Sequence, residues 1–409
     1  MNAICKTDEI YRGELMVFND LKAQYLSIKN DVDRRMQGVL DHGQFILGPE
    51  VEMLENRLAE YVRSRHCISC SSGTDAILMS LMAYEIGPGD AVFTTPFSFV
   101  SAAEMISLLG ATPVFVDIDK STFNIDPHKL ARAVEDVKTG VIMSPRDKKY
   151  LTPRGVIAVD LFGLPADYKI IKKIAHDNSL FVIEDGAQSF GASYRGKRAC
   201  SLADIGTTSF FPAKPLGCYG DGGAIFTDDR EMAERLRSIR THGKGENKYE
   251  NVRLGINGRL DTIQAAVLLS KLEVFDKELM LRQQIAQIYT ETFKDVFKTP
   301  QVPRGYTSSW ALYSVMSSNR DLLRSICDEL GIPASVYYPK PLNLQKALSH
   351  SGAAGGAMPV SEKCCRNVLS LPLHPYMSED EIERVLSLKE CYLKRVGPFE
   401  LHAHRVGCI

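Results

Sequence analysis

Two kinds of periodicity divide this chain. Between residues 17 and 62 apolar side chains return every three or four positions, which predicts helix, and GQFILGPEV breaks the run into two amphipathic stretches. From about residue 66 to residue 227 short β-rich runs alternate with helical ones. CISC precedes a helix over TDAILMSLMAYEI, and AVFTT, SAAEMISLLG and TPVFVDI follow. Then come GVIAVDLFG, the helix ADYKIIKKIAHDN, and the runs SLFVIED, GTTSFF and GAIFT. Such alternation predicts an α/β fold, a mostly parallel sheet with helices on both faces. Ligands of such sheets gather outside the carboxyl ends of the strands.

After a long helical stretch from about Thr262 to Phe297 the pattern changes again. Residues 311–400 read as a smaller α/β unit, with ALYSVMS, a helix at DLLRSICDELG and a closing helix from Ser378. The expected division is a tail over 1–13, a large domain over 14–275, a small C-terminal domain over 276–400 and a tail over 401–409. The first helices of the large domain are free to pack on the small one. Asp136 to Arg154 is polar, carries five Lys and Arg residues, and is expected to be a surface excursion. SGAAGGAMP is expected to be a flexible loop. No internal repeat is present.

Composition narrows the function. At 409 residues and 44% hydrophobic the chain can bury a large core. Its formal net charge is −1, without a long basic or acidic block, which argues against nucleic acid or an anionic membrane as partner. No apolar stretch reaches membrane-spanning length and MNAICKTDEIYRGE lacks the core of a signal peptide, so a cytoplasmic protein is expected. Ten cysteines show no framework spacing. Cys67-x-x-Cys70 alone has metal or redox spacing and lacks a partner pair, so burial is the expectation there, at Cys364-Cys365 and for His402-x-His404. No metal is expected.

The informative chemistry is one lysine. Lys214 is the only charged residue between Asp204 and Asp221, inside the apolar, Gly-rich run IGTTSFFPAKPLGCYG. Ammonium groups rarely enter such sequence unless a neutral amine is needed. Desolvation lowers a lysine's pKa and frees its lone pair for a carbonyl, the chemistry of a Schiff base. Upstream, the apolar run SLFVI ends in Glu184-Asp185. A carboxylate at a buried strand end, followed by a buried lysine, points to pyridoxal phosphate, with Asp185 on the pyridinium nitrogen. An ionised carboxylate about 3 Å from that nitrogen interacts by roughly 5 kcal/mol at an effective dielectric of about 20. By itself Glu184-Asp185 also fits an ordinary polar strand end. Gln188 is placed to bond the ring hydroxyl.

SSGTDAILMSL puts a Gly and two hydroxyl residues at the start of an apolar helix, a place suited to a phosphate and equally to an ordinary cap by Ser72 or Thr74. Ser209, five residues before Lys214, could meet the same phosphate. In TTPFSFVSAA, Phe99 is the first choice for a ring stacked on the cofactor and Phe97 the second, although an aromatic in such a run is more often core.

EDGAQSFGA, SFFPAKPLGCYGDGGAIF, SSGTDA, TTPFSFVSAAEMI and LGINGRLDTIQAA together resemble the DegT/DnrJ/EryC1/StrS family of sugar aminotransferases, from about Val17 to Leu388. The strings KPLGCYGDGGA and NGRLDTIQAA are most similar to members that aminate UDP-2-acetamido-2-deoxy-3-oxo-glucuronate. The resemblance implies a type I, aspartate aminotransferase-like fold, a homodimer with shared active sites, and Lys214 as both the cofactor's anchor and the proton shuttle. It matches Asp185 to the pyridinium partner, Gln188 to the hydroxyl partner and Phe99 to the stacking ring. It matches Gly73, Thr74, Asp75 and Ser209 to the phosphate cradle, and Asn257 to a residue reaching the neighbouring subunit's phosphate. Arg259 would meet an anionic group of the substrate and Tyr338 would border the sugar. Two positions depart from the family: Gly186 stands for the usual Ala, and Asn343 for a common His.

The expected function is transamination from L-glutamate, leaving 2-oxoglutarate, onto a nucleotide-linked keto-sugar, for a surface polysaccharide such as lipopolysaccharide O-antigen. Position 3 of a UDP-linked uronic acid is the first choice, and a 3- or 4-keto-6-deoxyhexose on dTDP or UDP the second. A sugar dehydratase of the same fold would carry histidine in place of Lys214. A non-catalytic regulator would not require the intact motifs. A nicotinamide-dependent dehydrogenase would show a GxGxxG after the first strand, which is missing.

Overall fold

The computed structural model describes residues 16–405 apart from 248, 351, 355 and 356, with backbone only at 353, 354 and 397–405. The expected tails, 1–13 and 401–409, and the His402 and His404 side chains therefore lie outside the described residues or side chains.

The helices begin and end where local chemistry dictates. Helix α1 (Leu21–His42) starts at Asp20, whose carboxylate accepts from the Ala23 N–H at 2.8 Å, and stops at Gly43, which takes φ 70°. Helix α2 (Pro49–Val62) starts on a proline, whose missing N–H costs nothing in a first turn. Next come β1 (His66–Cys70), α3 (Gly73–Ala83), β2 (Asp90–Thr94), α4 (Ser101–Leu108), β3 (Thr112–Phe115) and α5 (Pro127–Lys138). Then follow β4 (Thr152–Val159), α6 (Tyr168–Asp177), β5 (Phe181–Asp185), a short hairpin of β6 (Ser193–Tyr194) and β7 (Lys197–Arg198), β8 (Ile205–Ser209), β9 (Gly223–Thr227) and α7 (Arg230–Arg240).

Eight strands form the main sheet in the order β1-β9-β8-β5-β4-β2-β3-β12, where β12 is Ala353–Ala354. Only β9 runs antiparallel to its neighbours. β2 and β9 are buried at every position, as a sheet covered on both faces requires. Strand alternation sorts the two cores. Ala91, Phe93, Val156, Ala158 and Val182 pack with α5 and α6, while Val92, Ile157, Ile183 and Ile225 pack with α3, α4 and α7. Each fully buried Val, Ile or Phe contributes about 1.5–3 kcal/mol.

The long helix α8 (Thr262–Phe293) serves two cores. Its first half, with Ala265, Leu268 and Phe275, packs against α2 and Phe210. Its second half, with Ile285, Tyr289 and Phe293, joins a C-terminal core with β11 (Tyr313–Met316), α9 (Arg320–Glu329), β13 (Val368–Leu371), α11 (Glu379–Leu386) and α12 (Leu388–Arg405). A two-residue strand β10 (Tyr306–Thr307) pairs with β6, and α10 (Pro359–Asn367) precedes β13. The expected boundary at 275/276 falls inside α8. Helix α1 lies along α8, with Gln24 donating to Glu278 at 2.9 Å and the Ser27 and Tyr376 hydroxyls 3.2 Å apart, whereas α2 packs on the first half of α8 and on β1.

The 136–154 segment is a surface excursion with residues 146–150 exposed, although its ends belong to α5 and β4 and its loop buries Ile142, Ser144 and Leu151. Within SGAAGGAMP, expected to be a flexible loop, two of the described residues form a strand. Ala353 and Ala354 add a parallel strand beside Val114 and Phe115, since the edge strand β3 offers unpaired N–H and C=O groups. Cys67, Cys70, Cys364 and Cys365 are free and buried. Among the described residues no His, Cys, Asp and Glu cluster could hold a metal, and no helix is long and apolar enough to cross a membrane.

Candidate active site

Residues 158 and 159 of β4 pair with Glu184 and Asp185 of β5, and strand alternation sends those two carboxylates to opposite faces of the sheet. Asp185 is buried and accepts from the Ala187 N–H at 3.2 Å. Burial pushes its pKa up, opposed by that N–H and by the Lys214 ammonium. Lys214 retains some accessible surface, yet enough protein surrounds its amine for burial to pull its pKa down, with Asp185 opposing. The lysine is held by its backbone. Its N–H donates to Phe211 at 2.8 Å, Cys218 N–H closes the loop on Phe210 at 2.8 Å, and the Asn19 amide donates to the Ala213 carbonyl at 3.2 Å. The two residues singled out by sequence thus share one desolvated place.

Gln188 lies on the turn after Asp185. Its Oε1 accepts from the Phe162 N–H at 2.7 Å, which leaves Nε2 to face the Tyr338 hydroxyl at 3.4 Å. Tyr338 is brought from the C-terminal part of the chain, and burial raises its pKa. The two aromatics of TTPFSFV separate cleanly. Phe97 is fully buried among Phe123, Phe162 and Tyr338, whereas Phe99 is 56% exposed and presents its ring.

The start of α3 is the phosphate-like corner. Ser72, not Thr74, is the cap, accepting from the Asp75 N–H at 3.0 Å, and the Gly73 and Thr74 N–H groups have no helical acceptor. A Cβ on Gly73 would lie 2.6 Å from the Ser209 Cβ, and one on Gly223 would lie 2.5 Å from the Ser72 carbonyl carbon. Strand ends β8 and β9 therefore press a hydroxyl and free amides into one cradle, which suits a phosphate dianion. Gly73→Ala is expected to push Ser209 out of it and weaken cofactor binding by about tenfold or more, since 1.4 kcal/mol, less than one good charge-assisted hydrogen bond, is a decade. Fluorescence titration with pyridoxal phosphate checks this, and unchanged affinity would count against the cradle. The Ser71 N–H donates to Gly258 at 3.1 Å, which brings the exposed Asn257 and the half-buried Arg259 to the rim of the same corner.

Sequence reasoning missed a second carboxylate pair behind Asp185. Asp160 and Glu184 are both fully buried. Asp160 accepts from the Ala166 N–H and the Tyr168 hydroxyl, each at 2.8 Å, and from the Ser189 hydroxyl at 2.7 Å. Glu184 accepts from the Cys200 N–H at 2.5 Å and the Leu202 N–H at 2.8 Å. Burial raises both pKa values, and Asp160 pushes that of Glu184 up further while the Ala166, Ser189 and Tyr168 donors and Glu184 itself hold that of Asp160 back, so the pair retains a proton near neutrality. The sign follows. Proton uptake favours the fold at low pH, and that contribution is lost as pH rises from the ordinary range of about 4 to about 7 for Asp160. Asp160→Asn supplies a fixed N–H in place of the proton, so its melting temperature should fall less between about pH 5 and pH 8 than the wild type's. Parallel profiles would contradict the shared proton. The signal was visible, since GVIAVD ends in an acid just as SLFVIED does.

The residues present fit pyridoxal phosphate: a desolvated amine, a buried carboxylate facing it, and a cradle that a single Cβ would fill. A DegT/DnrJ/EryC1/StrS aminotransferase family model matches residues 26–388. The chain belongs to that family. It is a pyridoxal-phosphate-dependent aminotransferase. It is similar to a UDP-2-acetamido-2-deoxy-3-oxo-D-glucuronate aminotransferase of Pseudomonas aeruginosa, 46% identical over 370 residues that cover 90% of this chain and 98% of the relative. It is also similar to a pleiotropic regulatory protein of Geobacillus stearothermophilus, 41% identical over 371 residues, covering 90% and 95%. The crystal structure of a DegT/DnrJ/EryC1/StrS aminotransferase from Brucella abortus superimposes with TM-score 0.88 at 47% identity, covering 92% and 99%.

Proposed function

We propose that this aminotransferase moves an amino group from L-glutamate to carbon 3 of UDP-2-acetamido-2-deoxy-3-oxo-glucuronate, making a 3-amino sugar for a surface polysaccharide such as O-antigen. The observation that carries the reaction class is Lys214, an amine depressed by burial beside the buried carboxylate of Asp185. When bound, pyridoxal phosphate supplies an aldehyde that accepts an amino group and a ring that stores the electrons left by a departing α-proton.

Lys214 Nζ would hold that aldehyde, and its free amine would take the donor's α-proton and pass it to the cofactor, then in the other half-reaction carry a proton from the cofactor to the sugar carbon. Asp185 keeps negative charge at the ring nitrogen, and Gln188 Nε2 serves the ring hydroxyl. Phe99 covers a ring face. Ser209 and the amides of Gly73, Thr74 and Asp75 hold the phosphate. Asn257 reaches the phosphate of a second copy, and Arg259 meets the uronate carboxylate while Tyr338 borders the sugar. Exposed Phe45, Ile46 and Leu47, tied through the Phe45 carbonyl to the Thr262 N–H at 2.9 Å, give this rim apolar surface for a homodimer partner. A cytoplasmic location suits a nucleotide-sugar substrate.

Purified protein is incubated with glutamate and a panel of nucleotide keto-sugars, and the products are weighed. Amination of the UDP-uronate is expected. Turnover confined to dTDP- or UDP-linked keto-6-deoxyhexoses would favour the alternative substrate, and no bleaching of the bound chromophore by any amino acid would favour a regulator.

A further inference from the structure

Asp117 lies near the end of the run TPVFVDI, just beyond β3, and its side chain is only 2% exposed. It does not face the site built above. Instead its carboxylate receives the start of α10: the Val360 N–H at 3.1 Å, the Ser361 N–H at 2.9 Å and the Ser361 hydroxyl at 2.6 Å, with Lys129 Nζ at 2.9 Å. A carboxylate at a helix N-terminus satisfies orphan amides and meets the positive end of the helix dipole. Here the helix comes from more than 240 positions further along the chain.

Helix α10 does not stop at this contact. Its Val360, Cys364 and Cys365 pack in one apolar cluster with Phe97, Phe162 and Tyr338. Two of those positions also touch Gln188, through the Phe162 N–H and the Tyr338 hydroxyl. A second tie runs beside it, from the Leu342 N–H to the Pro96 carbonyl at 2.8 Å. The helix is thereby tethered at one end to the sheet edge and packed at its flank against the pocket wall.

We propose that Asp117 is a positioning residue for the keto-sugar side of the pocket: by seating α10 on the edge of the main sheet it sets where Tyr338 stands. This rests on the reading that Tyr338 borders the sugar. Lys129 and Ser361 share the task, and none of the three touches the reacting atoms. Asp185 and Lys214 sit on other elements and Gln188 keeps its bond from the Phe162 N–H, so the amino-acid half-reaction depends little on this seat.

The test compares holoenzyme carrying Asp117→Asn, Ser361→Ala and Lys129→Met with wild type, following the two half-reactions separately by the cofactor's absorbance. The expected result for Asp117→Asn is a KM for UDP-2-acetamido-2-deoxy-3-oxo-glucuronate raised about tenfold or more, as displacement of a pocket wall by about 1 Å entails. Bleaching by glutamate should change less than about twofold, and Ser361→Ala should show a smaller shift of the same kind. Hydrogen exchange on the cofactor-free protein provides a second readout, in which the Val360 and Ser361 amides should exchange faster in Asp117→Asn. If both half-reactions fall together, or neither moves while those amides stay protected, the proposal is overturned. If Asp117→Asn fails to fold, the Ser361→Ala and Lys129→Met pair decides by the same split. Should wild type aminate no keto-sugar, the functional reading fails, and the exchange rates still decide whether Asp117 seats α10.

Discussion

Lys214→Ala abolishes turnover, with a loss on the order of 10⁴-fold or more expected. Proton transfer by a placed side chain is by itself worth about 10²–10⁴, and the covalent hold on the aldehyde is lost with it. The fold gives no substitute. The acids at the carboxyl ends of β4 and β5 are Asp185, committed to the ring end, and the Asp160–Glu184 pair on the opposite face. The backbone that presents Lys214 is fixed by the Phe210 and Phe211 carbonyls, so an alanine leaves the loop intact and the effect is chemical. Wild-type protein reduced with borohydride should carry its tag on the Lys214 peptide. Small primary amines added to Lys214→Ala should restore part of the rate. Because burial lowers the lysine's pKa from its ordinary 10.5, the acid limb of the wild-type rate profile should lie below that value. A label elsewhere, or undiminished activity, would end the assignment.

Asp185→Asn retains the cofactor and loses about two to three decades of rate, or roughly 3–4 kcal/mol at 1.36 kcal/mol per decade. Asparagine keeps an oxygen for the Ala187 N–H and preserves shape, but it removes the only negative charge aimed at the ring end from this face of β5. A neutral amide no longer favours a protonated ring nitrogen, and the ring becomes a poorer store for the electrons of the departing proton. Stability should not suffer, because burial penalises the ionised acid and the amide carries no such penalty. The measurement is kcat and KM for glutamate with the absorbance spectrum of bound cofactor. A drop in kcat with little change in KM fits a group acting on the reacting system, and wild-type kcat would refute the electron-store role.

Three runs with an acid at or next to their end, TPVFVDI, GVIAVD and SLFVIED, look alike in sequence and place that acid at the carboxyl ends of β3, β4 and β5, with β2 lying between β3 and β4. Only Asp185 drew notice from sequence, because Lys214 follows it in an apolar run. Asp160 proved to hold the turn that carries Gln188 and Ser189, and Asp117 to receive α10. The aromatic pair shows the same limit. Phe97 and Phe99 are two residues apart on one loop, and burial alone separates a core ring from an exposed one. Likewise Thr74 and Ser72 were equal candidates to cap α3 until the Asp75 N–H was seen to point at Ser72.

What the linear chain determined is local. Alternating apolar runs of strand and helix length specify a parallel sheet covered on both faces, because such strands can bury two faces in no other way. An ammonium stranded in apolar sequence announces its chemistry by the cost of putting it there. Tertiary structure decided everything that depends on distant residues meeting: which strand-end acid faces Lys214, how Tyr338 comes to share a hydrogen bond with Gln188, and why Ala353 and Ala354 extend the sheet. Those outcomes turn on which lone pairs and edges remain unsatisfied after the core has packed.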